Sequence, residues 1–178
     1  MASVITATNS SGLTTSADNS GVLQLASGTG NLVTVPSVTG TAMVSGNMPA
    51  FYAYSNSAQT LTSGANTKVL FGAELFDTNN NFANSRFTPT VAGYYQINAC
   101  IWTTSVITGD TNIIMYQNGN FWSFGNSATL STKGFVVSSL VYCNGSTDYI
   151  EIYSYSQGST LASNSYQCYF NGCLVRGA

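Results

Sequence analysis

The sequence predicts an all-β fold, and three observations carry that expectation. Runs of five to eleven residues rich in Tyr, Phe, Val, Ile and Thr recur from Phe51 onward, and such residues suit a pleated, half-buried surface. The segments between them, SGAN, DTNNN, QNGN, NGS and SQGS, have turn chemistry. No stretch repeats its apolar residues with a helical period. About eight short strands at this spacing form a sandwich or a barrel.

In chain order the expected strands are FYAYSN (51–56), TKVLFGAEL (67–75), YYQINACIWTT (94–104), TNIIMYQ (111–117), FWSFG (121–125), GFVVSSLVYC (134–143), DYIEIYSY (148–155) and QCYFNGCLVR (167–176). Between the fourth and fifth lies Asn118-Gly119, the strongest short-range hairpin signal, because a type I′ turn needs positive φ at both central residues. Side chains alternate along a strand. Tyr95, Ile97, Ala99 and Ile101 therefore share one apolar row, opposite a mixed row of Tyr94, Gln96, Asn98, Cys100 and Trp102. Likewise Ile150, Ile152 and Ser154 oppose Tyr149, Glu151, Tyr153 and Tyr155. Tyrosine brings a large area and a polar tip to an interface at little entropic cost, so Tyr94, Gln96, Asn98, Tyr149, Tyr153 and Tyr155 are the expected oligomer interface.

Residues 1–48 form a separate arm. Asp18 is the only charged side chain before Asn66, and the segment from Ala2 to Asn47 has no aromatic residue. Such a composition cannot build a core of its own. It holds two short extended stretches, GVLQLAS (21–27) and NLVTVPSV (31–38), around the turn-like GTG. An arm of this kind is ordered only by something it lies against, which points to a partner or to neighbouring copies. The expected domains are thus the arm, 1–48, and a β head, 49–178.

Composition excludes several function classes. Charged residues are 6% of the 178, against about 25% in ordinary soluble proteins, and the chain has no histidine. Lys68, Arg86, Lys133 and Arg176 are its only cations, too scattered for the basic stripe that nucleic acid or an anionic membrane needs. A serine nucleophile lacks a base, and no GxSxG stretch occurs. Glu74 and Glu151 are the pair a glycosidase would use, and solvated turn and surface carboxylates are the better reading of both. The loop FDTNNN offers Asp77 and asparagine carbonyls to calcium, but an Asx-rich turn explains it as well, so no cofactor and no metal is expected. Cys100, Cys143, Cys168 and Cys173 lack zinc-finger spacing and are expected as free, mostly buried thiols. MASVITATNSSG lacks the pattern of a secretory signal, so synthesis in a cytoplasm without export is expected.

Phe71, Asp77, Phe82, Phe87, Gly93 and Tyr95, in that order, resemble the signature of the C1q-like jelly-roll domain of the C1q and tumour-necrosis-factor superfamily. Ile97 and Ala99 stand where aromatic residues usually close it, and the gap from Phe82 to Phe87 is shorter than usual. IIMYQNG (113–119), GFVVSSLVYCNGSTDYIEI (134–152) and YFNGCLV (169–175), with Gly172, are similar to further strands of that family. The resemblance covers roughly residues 50 to 178. It implies a ten-stranded jelly-roll sandwich that assembles as a homotrimer, with the 94–104, 148–155 and 167–176 strands in one sheet turned toward the threefold axis. Collagen-like Gly-X-Y repeats and heptads are missing, which argues against a complement-like or cytokine role.

The arm sequence SADNSGVLQLASGTGNLVTVPSVTG is loosely similar to segments of bacteriophage structural proteins. The expectation that follows is a virion protein: a non-enzymatic, trimeric capsid decoration or cement protein whose residues 1–48 hold the major capsid protein or other virion subunits. The alternative is the receptor-binding tip of a tail fibre that recognises host glycans.

Overall fold

The computed structural model describes residues 23–26 and 32–35 as strands, and residues 48–104, 107, 109–129 and 133–178 in full. The chain divides into two compact units, Met1–Thr41 and Ala42–Ala178. In the first, β1 (Leu23–Ala26) pairs antiparallel with β2 (Leu32–Val35), Leu23 opposite Val35. Both strands fall inside the two extended stretches read from the sequence.

The second unit runs through β3 (Ala50–Tyr54), β4 (Gln59–Thr60), β5 (Ala65–Lys68), β6 (Ala73–Asp77), β7 (Phe82–Ala83), β8 (Arg86–Phe87) and β9 (Gly93–Trp102). It continues through β10 (Thr111–Gln117), β11 (Asn120–Ala128), β12 (Gly134–Cys143), β13 (Ile150–Ser156), β14 (Thr160–Leu161) and β15 (Tyr169–Gly177). Among the described residues ten of these strands form two five-stranded sheets, ordered β12-β9-β15-β3-β6 and β11-β10-β13-β8-β7. Apart from the β7–β8 and β10–β11 hairpins the chain keeps crossing between sheets, and the first head strand, β3, lies beside the last, β15. This is the expected all-β jelly-roll sandwich.

The inward rows are those that alternation predicts. Tyr95, Ile97, Ala99 and Ile101 from β9 meet Ile150 and Ile152 from β13 in one core, with Phe51, Phe71, Phe82, Phe87, Phe135 and Phe170. The core is aromatic at its centre: Phe51 stacks on Phe87 at 4.2 Å and on Phe82 at 5.3 Å, with Phe170 edge-on at 4.9 Å. Gly93 and Gly172 lie where β9 and β15 pass each other. A Cβ at Gly93 would collide with the Arg176 carbonyl and Leu174, and one at Gly172 would crowd Ile97, the Gln96 carbonyl and Phe51.

One expectation from the family resemblance is corrected here. β9 and β15 are neighbours, but β13 lies in the opposite sheet between β10 and β8. The 94–104 and 148–155 strands therefore do not share a sheet. Alternation shows that a strand has one buried and one outward face, and it is satisfied equally in either sheet. Only the cross-strand partners decide, and those are long-range.

The Asn118-Gly119 hairpin forms with φ of 53° and 77°, as a type I′ turn requires. A Cβ at Gly119 would make only ordinary van der Waals contact, with the Tyr149 hydroxyl at 3.5 Å. Only backbone strain therefore opposes a side chain. Gly119→Ala is expected to lose about 1 kcal/mol in urea unfolding, and an unchanged midpoint would rule out a left-handed requirement.

Candidate functional site: two outward faces of the sandwich

The outward face of the β12-β9-β15-β3-β6 sheet is assembled by register. Across β12, β9, β15 and β3, Ser138, Asn98, Asn171 and Tyr52 lie in one rung. Leu140, Gln96 and Cys173 make the next, and Tyr142, Tyr94 and Arg176 the one beyond. Amides and a hydroxyl are joined at the centre. Gln96 Nε2 donates to Ser138 Oγ at 2.9 Å and to Asn98 Oδ1 at 3.2 Å. Ser138 Oγ donates to Asn98 Oδ1 at 2.8 Å, and Asn98 Nδ2 donates to Asn171 Oδ1 at 3.2 Å.

Apolar side chains frame this network. Val136 and Leu140 are 55% and 51% exposed, and Trp102, Tyr94 and Tyr142 also face outward. Tyr94 and Tyr142 rings are 5.4 Å apart, and Tyr52 stacks on Tyr169 at 5.5 Å. Burial, then the neighbouring phenol, raises the Tyr52 pKa above the ordinary phenol value; burial and Cys100 do the same for Tyr169. Both phenols therefore stay neutral at physiological pH. A depression of about 310 Å³ lies between Tyr52, Phe76, Asn98, Asn171 and Cys173. Arg176, at one end, is the only charge among the rung positions named above. An apolar surface with a preformed amide network and almost no charge suits a protein contact.

The opposite outward face is built on β11, β10 and β13, and it carries the other expected interface residues, Tyr153 and Tyr155, with Tyr149 just before β13. The six residues expected as one interface thus divide three and three between opposite surfaces. On this second face Tyr116 packs on Tyr153 at 4.2 Å and on Phe121 at 4.7 Å, and Phe121 stacks on Phe124 at 5.5 Å.

At one end of the second face is an ion cluster that the sequence pattern does not reveal. Glu151 Oε1 pairs with Lys68 Nζ at 2.6 Å and with Arg86 Nε at 2.8 Å. The Arg86 guanidinium also lies 3.7 Å over the Tyr149 ring, in cation–π geometry. The three charges come from β5, β8 and β13, separated too far in sequence for any motif to show. Glu74 lies on β6 of the other sheet, so it does not form a pair with Glu151 in the way two glycosidase carboxylates would.

Asp77 is committed locally: its carboxylate accepts from the Phe82 N–H at 2.7 Å and the Asn79 N–H at 3.4 Å, which fixes the DTNNN turn. Among the described residues no three His, Cys, Asp or Glu side chains are gathered so as to hold a metal ion. Cys100, Cys143 and Cys168 are buried free thiols and Cys173 is an exposed one. Burial first, with Cys168 beside Cys100 and Asp148 near Cys143, pushes Cys100 up to about 11 and Cys143 up to about 12. Neither is a thiolate nucleophile at neutral pH. The signature residues Phe71, Phe82, Phe87, Gly93, Tyr95 and Gly172 are all buried.

No protein-family model and no curated protein matches the chain. Solved structures do. Murine APRIL is similar with a TM-score of 0.60 at 7% identity, over 72% of this chain and 99% of that one. The globular domain of zebrafish complement 1qA gives 0.54 at 17% identity, over 73% of this chain and 99% of that one. The PRD1 vertex protein P5 gives 0.51 at 17% identity, over 89% of this chain and 83% of that one. At these identities the likeness concerns the fold, which is the TNF/C1q-like jelly roll.

Proposed function

We propose that the chain is a non-enzymatic structural protein of a virion, a homotrimeric head that decorates and cements a capsid through residues 1–48. The observation that carries this reading is the outward face of the β12-β9-β15-β3-β6 sheet. Exposed Val136, Leu140, Tyr94, Tyr142 and Trp102 surround an amide network, and Arg176 is the one charge among the rung positions named above. Burying that face costs little desolvation and removes a large apolar area from water. Tyr94, Gln96 and Asn98 are its central contributors; Tyr149, Tyr153 and Tyr155 lie on the surface the trimer leaves free.

The virion assignment has separate support. Among the similar folds is a phage vertex protein. The arm has the composition of a segment that is ordered against a partner. A protein that binds only the assembled shell stabilises it by mass action.

Deleting residues 1–48 should leave a soluble trimer by light scattering that no longer sediments with its capsid. Leu140→Asp in the same background should yield monomer, because three carboxylates would be placed in an apolar contact. A monomeric truncated chain with the native sheet face would overturn the division into anchoring arm and self-assembling head.

A further inference from the structure

Beside the start of β10 and the end of β11, at the end of the second face away from Glu151, lies a cavity of about 530 Å³. That volume is within the range of small-molecule sites. Register builds it: Ser127, Asn112 and Tyr155 are successive cross-strand partners on β11, β10 and β13. Asp110 and Thr129 complete the polar wall. The next rung along the same face is apolar, Phe124, Ile114 and Tyr153, and Phe121 and Phe124 are 54% and 62% exposed. An aromatic strip therefore lies one rung away from the polar cavity.

We infer that this cavity is a binding site for a neutral carbohydrate. A sugar ring presents paired hydroxyls along its edge and a C–H face above its plane, and the two parts of the site answer them. Asp110 is exposed and has neither a hydrogen bond nor an ion pair among the described residues. A free carboxylate accepts two O–H donors at once. Asn112 Oδ1 is occupied by the Tyr155 N–H at 3.3 Å, which leaves its Nδ2 as a donor. The Tyr155 hydroxyl accepts from Gln157 Nε2 at 3.0 Å and keeps its own proton to donate. Ser127 and Thr129 add hydroxyls of either polarity. The Tyr155 ring and the Phe124–Tyr153 rung supply the apolar platform for the C–H face.

Charge selects the class. Among the described residues the cavity lining contains one anion and no cation, so phosphorylated, sulfated or sialylated ligands meet repulsion there. Lys68 and Arg86 both contact Glu151 at the far end of this face. The site belongs to one protomer and lies on the sheet opposite the proposed trimer contact. Its failure and the failure of the trimer reading are therefore separate results.

Saturation-transfer NMR on the full chain with cellobiose, maltose, lactose and chitobiose tests the inference, with 3′-sialyllactose and spermidine as charged comparators. At least one neutral disaccharide should bind saturably. Asp110→Ala should weaken it about tenfold, the loss expected for hydrogen bonds to a charged group. Phe124→Ala should weaken it too, and both variants should keep the wild-type unfolding midpoint, since both side chains are exposed. The inference is overturned if no neutral sugar binds at millimolar concentration, or if Asp110→Ala binds as well as wild type. Tighter binding of sialyllactose or spermidine than of every neutral sugar would overturn it equally.

Discussion

Phe51→Ala is expected to cost the head about 4 kcal/mol, the range measured when a large aromatic is cut from a packed core. Phe51 is 1% exposed and sits where both sheets meet, touching Phe82 and Phe87 of one sheet and Phe170 of the other. Removing it loses the transfer free energy of the ring and opens a void whose walls are themselves rings, which cannot collapse by a small rotamer change. Its strand is held between β15 and β6, so the backbone cannot move in to fill the space. Phe51→Leu keeps most of the volume and should lose about 1–2 kcal/mol. The measurement is urea unfolding at one fixed protein concentration, because association with other copies contributes to apparent stability. A loss under about 2 kcal/mol for alanine would show that the aromatic cluster is not the centre of the fold.

That cluster is legible in the amino-acid sequence, because Phe71, Phe82 and Phe87 follow in signature order and Tyr95 and Ile97 alternate behind them. The bounds of β10 and β12 are legible to the residue, since Gln117 and Cys143 are each followed by an Asn-Gly pair that ends the strand. Sequence pattern misleads where side chains take over backbone partners. TKVLFGAEL reads as one strand but splits into β5 and β6. The Leu70 N–H is satisfied by Gln59 Oε1 at 2.8 Å and the Phe71 N–H by Ser85 Oγ at 2.9 Å, so no ladder continues between them. The β7–β8 hairpin escapes the pattern for a related reason. Its turn places Asn84 and Ser85 at φ of 52° and 56°, and serine carries no signal for a left-handed position. This two-residue turn sets Phe82 directly opposite Phe87, which accounts for the short gap in the signature.

The two outward faces are only half legible. Alternation identifies Tyr94, Gln96 and Asn98 as one outward row and Tyr149, Tyr153 and Tyr155 as another. It cannot say that the rows look away from each other, because sheet membership is fixed by pairs such as Ile114 with Tyr153 and Asn98 with Asn171, which are remote in sequence. The cavity beside Asp110 is hidden in the same way. Asp110, Ser127 and Tyr155 come from distant parts of the chain, and no spacing connects them.

Glu151→Gln is expected to cost about 2–3 kcal/mol at pH 7, although it keeps the shape of the side chain. The carboxylate is 4% exposed and is the shared partner of Lys68 and Arg86. A neutral amide would leave two cations facing each other with no anion between them. Breaking a fully buried pair costs about 3–5 kcal/mol, and the lower figure applies because the Arg86 side chain is 42% exposed, so water takes up part of the charge. Burial by itself would raise the Glu151 pKa, but the hydrogen bonds and charges of Lys68 and Arg86 outweigh it and hold the group below the ordinary carboxylate value. The sign follows: a carboxylate with a depressed pKa in the folded state contributes its full stabilisation above the unfolded value, about 4.3, and loses it as pH falls through the folded value. Urea midpoints of wild type and Glu151→Gln should therefore differ most at pH 7 and converge as pH falls below about 4, the wild type doing the moving. A gap that persisted undiminished in acid would mean that Glu151 acts through packing alone, and the ion cluster would then have no part in holding β5, β8 and β13 together.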